Sequence, residues 1–309
     1  MFSLKESLKS LLSMHSRRTV VRYRLMLRQP TNRIRVLPDF LVIGAQRCGT
    51  SSLFKYLAQH PTILRPLRKE IEYFSRRYNE GLPWYRSHFP TNIRKKIQNQ
   101  FSHSKVCTFE ATPDYLFDPN APSRVAEILR DIQLIVLLRN PIERAFSHYR
   151  HMVRLGYENL TFDDAIAAEA ERIGQDLERL NRDPSYYYRN YAKFSYVSRG
   201  LYADQIKRWL EFFPSEHFLI LQSEDLFSEP SRTYDRILKF LQLSSGNAFE
   251  FKNFSDTRDP GKLSTGISDS ARKHLEEVFE RPNRELASLL QQEFHGSDAF
   301  NWLCTPVAR

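Results

Sequence analysis

Cysteine is scarce in this chain of 309 residues. Cys48, Cys107 and Cys304 stand far apart, without the close pairs that hold zinc or build a disulfide framework. A reducing, cytoplasmic setting is the expectation that follows. No apolar run approaches the ~18 residues a membrane span needs, so no transmembrane segment is expected. The basic first 36 residues lack the apolar core and small-residue cleavage site of a secretory signal. Their leucines, Leu4, Leu8, Leu11 and Leu12, are spaced for a short amphipathic helix. Such a helix suits peripheral contact with a membrane or a partner, and equally packing on the domain. Internal repeats, low-complexity tracts and metal-type clusters are missing too, which leaves one domain over residues 37–309 behind a basic extension.

What is present is enough apolar material for a substantial α/β core, 41% hydrophobic with 13% aromatic, under a formal charge of +10. That charge favours an acidic partner such as a nucleotide, an anionic glycan or a membrane surface, unless it is simply solvated. Much of the excess lies in the first forty residues and in the run Arg94-Lys95-Lys96. The remaining basic residues are dispersed and the aromatics read as core, so nucleic acid is not an expected partner.

The most informative stretch is Phe40-Leu-Val-Ile-Gly-Ala-Gln-Arg-Cys-Gly-Thr-Ser-Ser-Leu-Phe54. A buried-strand pattern over Phe40 to Ile43 runs into a turn with Gly44 and Gly49. Thr50, Ser51 and Ser52 then open a helix whose apolar face is Leu53, Tyr56 and Leu57. A strand, a glycine turn and a helix N-terminus make an anion cradle of converging N–H groups, favoured further by the helix dipole. The Gly44-x4-Gly49 spacing matches a nucleotide P-loop, but Thr50 stands where the phosphate-binding lysine belongs, and the cation is Arg47, inside the loop. Cys48 could be taken for a nucleophile; packing under the loop is the expected role.

A second segment has the same logic. Leu134 to Leu138 reads as a buried strand and leads at once into Arg139-Asn-Pro-Ile-Glu-Arg-Ala-Phe-Ser147. Asn140 caps a helix and Pro141 fits its first turn. Arg139 thereby falls at the carboxyl end of a strand, where open α/β sheets bind ligands, and Ser147 follows two turns on. A guanidinium fork and a hydroxyl so placed can hold a phosphate.

Together these segments resemble the sulfotransferases that use 3′-phosphoadenylyl sulfate (PAPS), and the motifs are most similar to those of heparan sulfate and other carbohydrate sulfotransferases. The resemblance covers roughly Asp39 to Trp302. It implies a 5′-phosphosulfate loop over Arg47, Cys48, Gly49, Thr50, Ser51 and Ser52, and a 3′-phosphate site at Arg139 and Ser147. It also implies a late nucleotide loop near Lys262 and no metal. In Lys69-Glu-Ile-Glu-Tyr-Phe74 it implies Glu70 as the general base, with Glu72 as the internal competitor. An extended backbone there would put Glu70, Glu72 and Phe74 on one face, opposite Lys69, Ile71 and Tyr73. Glu110-Ala-Thr-Pro-Asp-Tyr-Leu-Phe117 resembles the turn that borders the acceptor cleft, although Ala111 occupies a place where some heparan sulfate enzymes carry lysine. Arg47 also departs from the lysine of many members.

The remaining pattern alternates strands and helices. Strands are expected at 106–110 and 217–222. Helices are expected at 123–130, 142–155, 162–173, 201–213, 230–241 and 268–294, the last interrupted at Pro282. The predicted fold is α/β, a P-loop-like three-layer arrangement with a central parallel sheet between helices. The expected reaction is in-line sulfuryl transfer to a hydroxyl or amine of a glycan or glycolipid. Trp84, Tyr85, Tyr186, Tyr187 and Tyr188 are either sugar platforms or packing under the insert at 174–198. Two other readings remain at this point: a P-loop phosphotransferase acting on a small alcohol, and a non-catalytic module for acidic glycans.

Overall fold

The computed structural model describes residues 14–102, 105–183, 188–244, 251, 266–294 and 300–303. The leucine pattern at Leu4 to Leu12, together with Tyr186, Tyr187, Lys262 and Cys304, lies outside the described residues.

Five parallel strands form one sheet: β1 (Phe40–Gly44), β2 (Ile63–Leu64), β3 (Cys107–Ala111), β4 (Gln133–Leu138) and β5 (Phe218–Gln222), in the order β2-β3-β1-β4-β5. Every residue of β1 and β3 is buried, as are all of β4 after Gln133. β1 and β4, covered on both faces, are near-continuous apolar runs legible without alternation, whereas β3 buries Thr108 and Glu110.

The helices run α1 (Met14–Arg28), α2 (Thr50–Leu57), α3 (Gly81–Arg86), α4 (Asn92–Gln100), α5 (Ala121–Ile128), α6 (Pro141–Arg154) and α7 (Phe162–Ala167). They continue as α8 (Glu169–Arg182), α9 (Arg189–Phe194), α10 (Tyr202–Leu210), α11 (Ser223–Ser228), α12 (Pro230–Phe240) and α13 (Asp269–Glu293). Leu53, Tyr56 and Leu57 of α2 and Ile206 and Trp209 of α10 are buried in the main core, as their periodicity predicts. Asn140 caps α6 by accepting from the Ile142 and Glu143 amides.

Two expectations are corrected. The predicted helix over 162–173 is two helices that meet at Ala168. Conversely, Pro282 does not interrupt the last helix. Leu275 and Phe279 before it and Leu286, Leu289 and Leu290 after it are all buried, so packing on both sides offsets the hydrogen bond proline removes.

Strands β3 and β4 flank β1 on opposite sides, so the chain reverses its direction of travel across the sheet at β1. The carboxyl ends of β1 and β4 form the crevice where such sheets take ligands. Gly44 closes β1 against Leu116: a Cβ built there would lie 2.5 Å from the Leu116 Cβ. Gly44→Ala is therefore expected to destabilise the fold by about 1–3 kcal/mol, the usual range for overpacking. A urea titration with an unchanged midpoint would contradict this close approach.

Candidate active site

The loop after β1 is fixed from beneath. The Ala45 amide donates to the Leu137 carbonyl at 2.7 Å, and Ser223 Oγ donates to the Cys48 carbonyl at 2.8 Å. Gly49 is left-handed (φ 84°) and precedes α2 without any side-chain cap, which leaves the first helical amides for an incoming anion. Thr50 and Ser52 are buried, whereas Ser51 is exposed and accepts from Lys69 Nζ at 2.9 Å. Cys48 is fully buried, 4.0 Å from the Tyr202 hydroxyl, and burial pushes its thiol up to about 11. That is a packing cysteine, as the sequence indicated.

Arg47 dominates the electrostatics. It is left-handed (φ 70°) and folds back so that its Nε donates to Ser147 Oγ at 3.1 Å. Its guanidinium is pushed down to about 10, first by burial, then by Arg154 and Arg139, and more weakly by Arg144. Cys48 pulls the other way. Glu224 is a carboxylate at this end of β4, its Oε1 accepting from the Asn140 amide at 3.1 Å. Arg47 thus lies in the fields of three further guanidinium groups, of which Arg144 is wholly buried and donates to the Tyr196 carbonyl. An assembly of like charges in a partly desolvated place is unfavourable unless an anion joins it. The residues present therefore fit a multiply phosphorylated donor.

The sequence placed Arg47 and Ser147 at opposite ends of that donor; the structure brings them into contact. Arg139 precedes the first residue of α6, so it and Ser147 do not share a helical face, and the hydrogen bond to Ser147 comes from the loop instead.

The segment carrying the proposed base is not extended. Glu70 (φ 57°) and Glu72 (φ 63°) are both left-handed, and Ile71, Tyr73 and Phe74 are all buried. The expected two-faced alternation fails because the backbone is bent by anchors on β3 and the turn after it. The Glu70 amide donates to the Ala111 carbonyl at 3.0 Å, and the Glu72 amide donates to Thr112 Oγ1 at 3.3 Å. Lys69, expected on the opposite face, pairs with Glu70 at 2.8 Å and links it to Ser51 of the loop. The Glu70 side chain is 48% exposed, against 18% for Glu72. Burial raises the Glu72 carboxyl, which is held by Arg76 and lies 3.8 Å from Arg77. Of the two carboxylates, Glu70 has the access a base needs.

His151 was missed by sequence reasoning. It lies one turn beyond Ser147 on α6 and accepts from Arg154 Nη2 at 2.6 Å. Burial, then Arg47 and Arg154, push it down to about 4, with Glu70 opposing. A neutral imidazole therefore stands within the fields of both Arg47 and Glu70. The signal available was its spacing of four from Ser147 on one helix face.

Two supposed sugar platforms are core residues. Tyr85 is wholly buried and donates to Glu110 at 2.5 Å, and Tyr188 is buried with its hydroxyl on Asp118. Trp84 is partly buried, 4.4 Å from the ring of His88. Glu110, in the turn expected to border the cleft, is also fully buried beneath it. It accepts from Tyr85, from Tyr115 at 2.6 Å and from Thr112 at 2.8 Å.

The switch-point crevice thus combines guanidinium groups, a loop of P-loop spacing and an accessible carboxylate, an arrangement that fits an anionic, phosphate-bearing ligand. The chain belongs to the sulfotransferase family: the family's sulfotransferase domain matches residues 37–259. A sulfotransferase from Alicyclobacillus acidocaldarius is 29% identical, with a TM-score of 0.62 over 86% of this chain and 99% of that one. The membrane-associated sulfotransferase kil1 of Dictyostelium discoideum is 26% identical across 84% of this chain and 66% of its own length. Human heparan sulfate glucosamine 3-O-sulfotransferase 6 is 33% identical across 68% of this chain and 53% of its own. The chain thus spans about half to two thirds of the length of these curated relatives.

Burial raises Glu110 to about 7 despite its three hydroxyl donors. Between about pH 4.5 and about pH 7 the folded protein then keeps a proton that the unfolded chain releases. Stability is expected to fall as pH rises through that window and to level off above it, and Glu110→Gln should flatten its share of the slope. Denaturant titrations at several pH values measure this; identical slopes in the two proteins would remove Glu110 as the cause.

Proposed function

We propose that this chain transfers a sulfuryl group from PAPS to a hydroxyl or amine of a carbohydrate acceptor. The observation that carries the reading is the loop after β1, where Arg47 donates to Ser147 within the fields of Arg139 and Arg154, next to a helix N-terminus without a side-chain cap. The donor, when bound, supplies the sulfuryl group and a phosphate leaving group. Arg47 and the amides of Gly49, Thr50 and Ser51 hold charge on the 5′ side, and Arg139 and Ser147 hold the 3′-phosphate. The contact between Arg47 and Ser147 suits a site where both phosphate groups are gripped by one continuous set of donors.

Glu70 takes the proton from the acceptor hydroxyl as its oxygen attacks sulfur and the sulfur–oxygen bond to the phosphate breaks. Lys69 bridges Glu70 to Ser51, so base and loop are fixed relative to each other. Positioning and electrostatic stabilisation then supply most of the rate, as in phosphoryl transfer. His151, held neutral, is a further hydrogen-bonding group beside Glu70.

The carbohydrate acceptor is supported by relatives named as heparan sulfate sulfotransferases. Ala111, in place of a lysine, argues against an acceptor as anionic as heparan sulfate. Thr50 in place of the P-loop lysine, and Asn140 where a magnesium-binding aspartate would stand, disfavour ATP as the donor.

Arg47→Ala and Glu70→Gln are each expected to lower turnover about a hundredfold or more, the usual loss for one transition-state contact. Glu70→Gln should leave affinity for adenosine 3′,5′-bisphosphate nearly unchanged. Single-turnover assays with radiolabelled PAPS and calorimetry read the two effects separately. Normal turnover by Glu70→Gln would remove the base assignment. Equal affinity for adenosine 3′,5′-bisphosphate and AMP would remove the donor.

A further inference from the structure

Two helices of this chain turn apolar stripes outward. Helix α1 reaches the core through Leu25, while Val20, Tyr23, Met26 and Leu27 are 45%, 59%, 59% and 59% exposed. On a helix of 100° per residue these four fill an arc ~120° wide, centred roughly opposite Leu25, with Arg22 and Arg24 at its margins. Helix α4 has no buried residue. Its Ile93 and Ile97, with Phe101 just beyond, follow one turn apart at 61%, 51% and 85% exposure. Arg94 and Lys96 border that stripe, and Lys95, on the opposite side, ties the helix to the domain through Asp39 at 2.6 Å.

The end of α1 and the start of α4 are neighbours. Arg28 and Arg35 both donate to the Phe89 carbonyl, just ahead of Thr91, which caps α4. Arg35 also forms a β-bridge with Thr91. The Arg28 guanidinium is pushed down to about 10 by burial, then by Arg35, Arg24 and Arg94, so cations of both helices act on one group. No Asp or Glu occurs between Ser7 and Pro38, or between Gly81 and Phe109.

We propose that α1 and α4 together form a docking surface for a bilayer with anionic headgroups. The apolar stripes enter the acyl boundary and the bordering arginines and lysines meet the phosphates, the arrangement interfacial helices use. A polyanionic glycan or nucleic acid would engage the cations but leave Ile93, Ile97 and Phe101 in water. A second copy would set cations against cations, since neither segment contains an acid. Asp39, which anchors α4, immediately precedes β1, so α4 is tied to the amino end of the sheet, away from the crevice at its carboxyl end.

Co-sedimentation of the full chain with phosphatidylcholine vesicles, with and without phosphatidylserine, tests the surface. Vesicles containing phosphatidylserine are expected to bind at least ~tenfold more strongly than neutral ones. The triple variant Ile93→Ser, Ile97→Ser, Phe101→Ser should lose at least ~tenfold of that binding, and so should Arg94→Glu with Lys96→Glu, with circular dichroism unchanged. Equal binding to both vesicle types, or full binding by the triple variant, overturns the proposal. Self-association that the triple variant abolishes, or heparin binding that it leaves intact, overturns it too when the parent chain binds no vesicles.

Discussion

Like charge gathered around the loop after β1 is the constraint on which the site is organised. Arg47 lies in the fields of Arg139, Arg144 and Arg154, and the loop that carries it is tied down from beneath. The loop is hung from the Leu137 carbonyl and from Ser223, and α6 is started by the Asn140 cap. The anchors are one backbone hydrogen bond and two short side chains, Ser223 and Asn140, which have less freedom to lose than long flexible ones.

Around that charge, the acidic side of the site is divided by environment. Glu110 is sealed under the turn by two tyrosines and a threonine. Glu72 is engaged with Arg76, and only Glu70 remains accessible, joined to the loop by Lys69. Glu70 and Glu72, two residues apart, and Glu110, some forty residues on, thereby acquire different environments through burial and partners. Sequence spacing could not distinguish them.

The fold was legible because β1 and β4 are apolar runs bounded by glycine, proline and asparagine, signals that depend on nearest neighbours. The loop Arg47 to Ser52 and the Asn140 cap were legible for the same reason. What escaped the sequence depends on contacts across long separations. The bend at Glu70 to Phe74 is imposed by Ala111 and Thr112, some forty residues away. The burial of Tyr85 and Tyr188 follows from Glu110 and Asp118. The continuity of α13 through Pro282 follows from buried residues on both sides of it. His151 showed only as a spacing on α6, and its importance rests on where Arg47 folds.

The left-handed backbone at Glu70 and Glu72 has one more implication. Long side chains occupy that region rarely, and each such residue holds about 1–3 kcal/mol of conformational strain. Glycine would relieve it at either position. Selection for thermal robustness alone would therefore favour glycine at both positions, at the loss of the accessible carboxylate beside the loop.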